Sequence, residues 1–491
     1  MRKRVRDLMI ELLPTIWEGV KYAKGAQPEQ ASLILGDCYD AVNSISNNLE
    51  SGLTEERFAF YRDILIPLKD TLEALDDSLL SGRPASEIPK NIKNYLAVLK
   101  KELLNESEVK IEIVFMPYKS SMWDSFESIW LAAQADERCN AIVMPIPYYD
   151  RNPDHSLGEF HYEGEQYPDY VPVVHYKDYD VSARMPDVIY IHNPYDDTNF
   201  ITTVDPQYYS LELKKFTPML VYVPYFISGA YLNTQTFAQK HIASCIEHVD
   251  KIIAQSSAHK KMYVESGIAE NKILALGSPK LDFIVNKNKD NVEIPTDWVQ
   301  KLDGKKVIVL NSSIGALLND PNYLIKLKRR ISTMLSYQEL ALIWRPHPLL
   351  ESAITSMKPE WHDNYKEIVH IVENCGHAII DYSASTMPAT IVSDGMISDM
   401  SSWARQYIAT GKPVLMLNGR SKLRRERICL FDHFSCYFVY DGFSIEEYCE
   451  LVIKGTDYQK EARMNDLKKS VLNNDGSCGE KINERIIRLL G

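Results

Sequence analysis

The sequence predicts an α/β protein made of two doubly wound, Rossmann-like domains facing a cleft, preceded by an N-terminal helical extension. Three observations carry that expectation: the length, a first hundred residues without strands, and two separate series of apolar strands alternating with helical segments. At 491 residues the chain exceeds the roughly 250–300 residues that one hydrophobic core serves, so at least two domains are expected. With 45% hydrophobic and 25% charged residues, the composition excludes the fibrous and disordered classes.

Residues 1–105 form the helical region. Val5, Leu8, Met9, Leu12, Ile16 and Val20 recur at three- and four-residue steps behind Arg2, Lys3, Arg4 and Arg6. The pattern predicts a helix packed on a neighbour. Its sharper reading is a basic amphipathic surface lying on an anionic membrane.

The first α/β domain is expected over residues 106–285. The runs IEIVFMPY, NAIVMPIPYY, PDVIYIHNPY and MLVYVPYF are apolar almost throughout, and SMWDSFESIWLAAQAD between the first two puts Trp123, Phe126, Ile129, Trp130 and Ala133 at helical spacing. Strands apolar on both faces, alternating with helices, mean a parallel sheet covered on both sides. The polar stretch NKNKDNVEIPTD from Asn286 then reads as a linker. A second series, KKVIVLNSS, LALIWRPHP, HAIIDYS, GMISDMS and KPVLMLN, sets a second domain over residues 300–491.

Bulk properties narrow the function. A net charge of −12 leaves no global positive field for a nucleic acid, so any anion is bound locally. No apolar run is long enough to span a membrane, and Arg6, Asp7 and Glu11 interrupt any signal-peptide core. The eight cysteines are scattered singly, without zinc spacing, which fits a reducing cytoplasm. No carboxylate pair has clear metal spacing, so no divalent ion is required.

Ligands of open α/β sheets sit at the carboxyl ends of the strands, and the polar residues of the second half gather there. KKVIVL ends in Asn311, Ser312 and Ser313; LALIW ends in Arg345, Pro346, His347 and Pro348; GMI ends in Ser398, Asp399, Ser401 and Ser402. In one parallel sheet these ends converge. Ser401 and Ser402 open the helix SSWARQYIA, where hydroxyls and unpaired first-turn N–H groups suit a phosphate and Asp399 orients them. A plain N-cap accounts for the same residues equally well. His347, next to Arg345, supplies an imidazole that can act as base, acid or phosphate donor, while Arg345 suits either a phosphate or an internal ion pair. In LGSPKLDFI, the residues Gly277, Pro279, Lys280 and Asp282 make a tight turn after the strand KILAL. The basic run RSKLRRER from Arg420 is either solvated or steers an anionic acceptor. The tyrosines and prolines of PIPYYD and HNPYDD suggest a binding wall in the first domain.

Taken together, RPHP at 345–348, GSPKLDF at 277–283, and SDGMISDMSS at 393–402 followed by KPVLML resemble the motifs of the CDP-glycerol glycerophosphotransferase family. These are the teichoic-acid polymerases and primases of Gram-positive bacteria. The resemblance spans roughly residues 215–420 and implies a GT-B-like fold. It implies transfer of a polyol phosphate from a CDP-linked donor to a hydroxyl of a glycan or polyol-phosphate acceptor, lipid-linked in some members. CMP is released, no cofactor is used, and the enzyme works in the cytoplasm with peripheral contact at the inner membrane face. By position, His347 and Asp399 take the catalytic places, Ser401 and Ser402 bind the pyrophosphate, and Arg345, Lys280, Ser398 and Ser312 complete the donor-binding set. One departure stands out. The family's Trp-His-Gly-x-Pro-like segment, whose histidine is the favoured base, corresponds to VYVPYFISGAY from Val221, which has none. Tyr222, Tyr225, His192 or His241 then takes its place, or the chemistry is altered. Met400 also replaces the tyrosine of the family's Asp-Tyr-Ser-Ser form. The alternatives are a nucleotide-sugar glycosyltransferase or epimerase of the same fold, and a non-catalytic nucleotide- or glycan-binding protein.

Overall fold

Four helices, α1 (Lys3–Ala23), α2 (Pro28–Gly52), α3 (Glu55–Leu80) and α4 (Ile88–Leu104), bundle around one apolar core. The computed structural model describes residues 1–490 except 85, 153, 230–233, 288–291, 314–316, 318–319, 348–349, 384, 400 and 418–434. In α1 the buried stripe is Met9, Leu13, Ile16, Val20 and Ala23, while Leu8 is half exposed. The basic residues at its start have carboxylate neighbours, Arg2 lying 3.6 Å from Glu112. Lys3 and Arg6 bond Asp7 at 2.8 and 2.9 Å, and Arg2 donates to the Arg184 carbonyl at 2.8 Å. The stripe is therefore spent on helix packing and the cations on local pairs. Among the described residues no helix is long and apolar enough to cross a membrane.

The first sheet is parallel, in the order β2-β1-β5-β7-β8-β9: β1 is Ile111–Met116, β2 Cys139–Val143, β5 Val188–Ile191, β7 Met219–Tyr222, β8 Lys251–Ala254 and β9 Ile273–Ala275. All six residues of β1 are buried, as a strand covered on both faces requires. Helix α5 (Glu127–Ala135) follows a short 3-10 turn, Ser120–Ser125, and buries Ile129, Trp130 and Ala133. The run NAIVMPIPYY is not one strand. Pro145 and Pro147 end β2, and the chain continues as β3 (Tyr148–Arg151), which pairs antiparallel with β4 (Leu157–His161) and β6 (Thr202–Val204) in a separate small sheet.

The second sheet is also parallel, ordered β12-β11-β10-β13-β14-β15: β10 is Lys306–Ser312, β11 Leu340–Pro346, β12 Ala378–Ile380, β13 Gly395–Ser398, β14 Val414–Met416 and β15 Tyr437–Phe438. This is the 3-2-1-4-5-6 order of a doubly wound sheet, whose direction of winding reverses between β10 and β13. In the first sheet the corresponding switch point lies between β1 and β5.

The chain passes between the sheets twice, once after β9 and again near Leu472. Its last helix, Cys478–Leu490, lies in the core of the first sheet, with Ile482, Ile486 and Ile487 packed against the α5 side. The returning chain is clasped by the residues of GSPKLDF. Gly277 has φ +108°, and a Cβ there would overlap the Leu472 carbonyl. Leu472 N–H donates to Gln255 O at 3.0 Å and Asn473 Nδ2 to Leu276 O at 2.8 Å. Asp282 accepts from the Gly479 N–H at 2.7 Å, in the first turn of the final helix.

Asp282 is fully buried, and burial raises its pKa to about 6 despite the Gly479 bond. Its folded pKa thus exceeds its unfolded value near 4, so its contribution to stability is full below about pH 4 and is lost as pH rises through about 6. Asp282→Asn keeps an acceptor for Gly479 and removes the buried charge. Thermal melts from pH 4 to 8 are expected to show the variant gaining on the wild type across that window, by up to about 3 kcal/mol.

Candidate functional site

At the β10/β13 switch point the strand ends are tied by one amide. Asn311 Nδ2 donates to Ser398 Oγ at 2.9 Å and to Ser401 Oγ at 3.2 Å. Ser401 is the N-cap of the Ser402–Tyr407 helix and accepts from the Ala404 N–H at 3.1 Å. With two donors already on its oxygen, its own proton remains as its donor, 3.4 Å from Ser398 Oγ. Ser402, the first helical residue, is exposed. Ser401 is thus the plain N-cap, and Ser402 stands at the open end of the helix.

Asp399 points elsewhere. It is buried and accepts from Ser313 N–H at 3.3 Å and Ser313 Oγ at 3.1 Å, bracing the end of β10. Burial raises its pKa, opposed by the Ser313 bonds and the charge of Arg330. Ser312 is buried too, its Oγ accepting from Trp344 Nε1 at 3.0 Å. Its hydroxyl therefore serves the packing of β10 on β11 rather than the open edge.

The two cations are paired. Arg345 makes an ion pair with Asp381 at the end of β12, donates to the Ser383 carbonyl at 2.6 Å, and lies 5.6 Å from the Trp403 ring centre. Lys280 is buried and bonds Asp124 in the Ser120–Ser125 turn of the first domain. Asp124 also accepts from Gln406 Nε2, one turn along the helix that Ser402 begins, at 3.3 Å. A second contact joins the same helix to the first domain, since a Cβ on Gly229 would lie 2.7 Å from Arg405 Nη2. The helix at the β10/β13 switch point therefore touches the first domain through both Arg405 and Gln406. His347 is partly exposed beyond β11, and its carbonyl accepts from the Leu350 N–H at 2.8 Å. Pro348, Met400 and the RSKLRRER run lie outside the described residues.

Of the groups that could replace the absent histidine, His192, His241 and Tyr222 are buried and Tyr225 is partly buried. His192 is fully buried and stacked on Phe126; Nε2 accepts from the Tyr118 N–H at 3.2 Å, so Nδ1 carries the proton, toward Ser125 Oγ at 3.0 Å. Burial, with the charge of Lys280, lowers its pKa to about 3. His241 is buried, stacked on Phe237 and 3.1 Å from Ser228 Oγ. Tyr222 is fully buried with its pKa driven well up by burial, and burial also raises that of Tyr225. The sequence reading passed over another pair: His161 Nε2 lies 3.0 Å from Asp150 Oδ2 in the small antiparallel sheet. The alternation Glu159-Phe160-His161 was the available signal, placing Glu159 and His161 on one strand face.

A family model described as CDP-Glycerol:Poly(glycerophosphate) glycerophosphotransferase matches residues 227–487. No curated protein matches the sequence. Among solved structures, a variant of the wall teichoic acid polymerase TagF soaked with CDPG is 14% identical, with a TM-score of 0.48 over 87% of this chain and 98% of that one. A UDP-GlcNAc 2-epimerase from Neisseria meningitidis bound to UDP-GlcNAc is 12% identical, with a TM-score of 0.45 over 77% of this chain and 100% of that one.

If Lys280 is chiefly a partner for Asp124, removing one charge strands the other in a buried site. Asp124→Ala is expected to cost about 3 kcal/mol or more, and Asp124→Ala with Lys280→Met to recover most of it, as read by urea denaturation. A double variant no more stable than the single one would show that Lys280 is not held by this pair.

Proposed function

This chain belongs to the CDP-glycerol:poly(glycerophosphate) glycerophosphotransferase family, and on that premise we propose that it moves glycerol phosphate, or a related polyol phosphate, from a CDP-linked donor to an acceptor hydroxyl. The acceptor is a cell-wall or surface glycan, or a growing polyol-phosphate chain, and CMP is released. The family match carries the proposal: it runs from the loop after β7 through the whole second sheet to the final helix.

In this reading the donor diphosphate lies at the β10/β13 switch point. Ser401 and Ser402 donate to its oxygens, with Asn311 holding Ser401 in place. His347 approaches from the end of β11 and contacts the phosphates, while Arg345 contributes its field from the Asp381 pair. Asp399 acts through Ser313, shaping the loop after β10 rather than touching the reacting atoms. The acceptor hydroxyl attacks the β-phosphorus in line, and catalysis rests on positioning and on donors aimed at the phosphoryl oxygens. Peripheral contact with the inner membrane face, where a lipid-linked acceptor lies, belongs to the same proposal.

Calorimetric titration with CDP-glycerol, CDP-ribitol, CMP and a UDP-sugar tests it. Cytidine-selective binding is expected, weakened about 10-fold or more in His347→Ala and in Ser402→Ala. Preference for the uridine ligand, or no binding of either CDP-polyol, would overturn it.

A further inference from the structure

The small antiparallel sheet gathers three metal-ligating side chains on one face. Asp150 on β3, with Glu159 and His161 on β4, brings one ligand atom from each residue within 4.8 Å of the others. Strand register explains the convergence: Tyr148 pairs with His161, and Asp150 and Glu159 lie two residues along from them. The register then slips between Tyr149 and Arg151, an irregularity of the kind that re-aims a side chain. Gly158 leaves room for it, since a Cβ there would lie 3.1 Å from the Asp150 carbonyl oxygen.

Packing fixes the imidazole. Its ring stacks on Tyr148 at 4.9 Å; the Tyr148 hydroxyl donates to Glu163 at 2.7 Å, and the Tyr148 ring packs edge-on against Tyr118 at 5.4 Å. Outer contacts of this kind orient a ligating histidine. Nε2 faces Asp150 Oδ2 at 3.0 Å. Nδ1 makes no hydrogen bond among the described residues, so the neutral ring can carry its proton there and keep the Nε2 lone pair for an ion. Charge adds to the case. Asp150 and Glu159 repel one another, and among the described residues neither forms an ion pair with a lysine or arginine. Lys119 lies instead over the Tyr148 ring, 4.9 Å from its centre. A cation between the two carboxylates turns that repulsion into attraction. Ligand atoms bound at about 2.1 Å stand roughly 3.0–3.4 Å apart, so closing the set on an ion needs side-chain movements of about 1–2 Å, within reach of the exposed Glu159.

We propose that Asp150, Glu159 and His161 form a binding site for a divalent transition metal, Zn²⁺ or Mn²⁺. One imidazole nitrogen with two carboxylate oxygens suits these ions, whereas Mg²⁺ and Ca²⁺ favour oxygen ligands alone. Three protein ligands leave at least one coordination position to water. The ion joins β3 to β4 through side chains at the point where their register slips. The site belongs to the small sheet and does not depend on the transferase reading.

Calorimetric titration of the chelator-treated 491-residue chain with Mn²⁺, Zn²⁺ and Mg²⁺ tests the site. The wild type is compared with Asp150→Asn, Glu159→Gln and His161→Ala, and with His362→Ala, at the start of a helix of the second domain, as control. A Mn²⁺ and Zn²⁺ site is expected with affinity about 10-fold or more above that for Mg²⁺, weakened about 10-fold or more in each of the three variants and unchanged in the control. Electron paramagnetic resonance of the bound Mn²⁺ is expected to show modulation from an imidazole nitrogen, which His161→Ala removes. Saturating Zn²⁺ is expected to raise the Tm of the wild type and the control more than that of the three variants. A wild type that binds neither Mn²⁺ nor Zn²⁺ at millimolar concentration would overturn the site. Binding that all three variants retain would overturn it too, as would bound Mn²⁺ without nitrogen modulation.

Discussion

The structure depends on the point where the chain returns from the second sheet to the first. There the Leu472 carbonyl lies against Gly277, in a backbone conformation open to glycine and strained for other residues. Leu472 and Asn473 complete the join by bonding Gln255 and Leu276. Two separately wound sheets linked by a single connection would keep their relative freedom. A second crossing, locked through backbone and closed by Asp282 on the final helix, sets how the two switch points face one another.

Charge is handled locally throughout. The chain carries twelve more acidic than basic residues, and Arg345 and Lys280, the cations of the candidate site, already have carboxylates. In the proposed reading an anion at β10/β13 meets the hydroxyls of Ser402 and of Ser401, which Asn311 holds in place in advance. Such fixed dipoles need no reorganisation when charge moves between oxygens, which suits phosphoryl transfer better than mobile surface lysines. Lys280 and Gln406 share Asp124, so the ion pair also ties the Ser402–Tyr407 helix to the first domain.

Much of this was legible in the sequence because strands buried on both faces advertise themselves. VIVL, ALIW and VIYI are apolar without interruption, and the residues following them are the polar ones that converge. The hairpin carrying His161 was not legible: three of the five residues of β4 are polar or glycine and none of the five is buried, and Pro145 and Pro147 hid the break in NAIVMPIPYY. The partner of Lys280 lies 156 residues away, and no spacing rule reaches that far. GSPKLDF shows in the sequence only as a tight turn; its glycine and aspartate hold the returning chain, a role visible only once Leu472 and Gly479 are placed beside them.

The most direct test of the account is a structure of the protein with CDP-glycerol bound. The account places the diphosphate at the β10/β13 switch point, within hydrogen-bonding distance of Ser401 and Ser402, with the glycerol end directed toward the β1/β5 edge of the first sheet. A diphosphate bound away from that switch point, or a glycerol directed away from the first sheet, would contradict it.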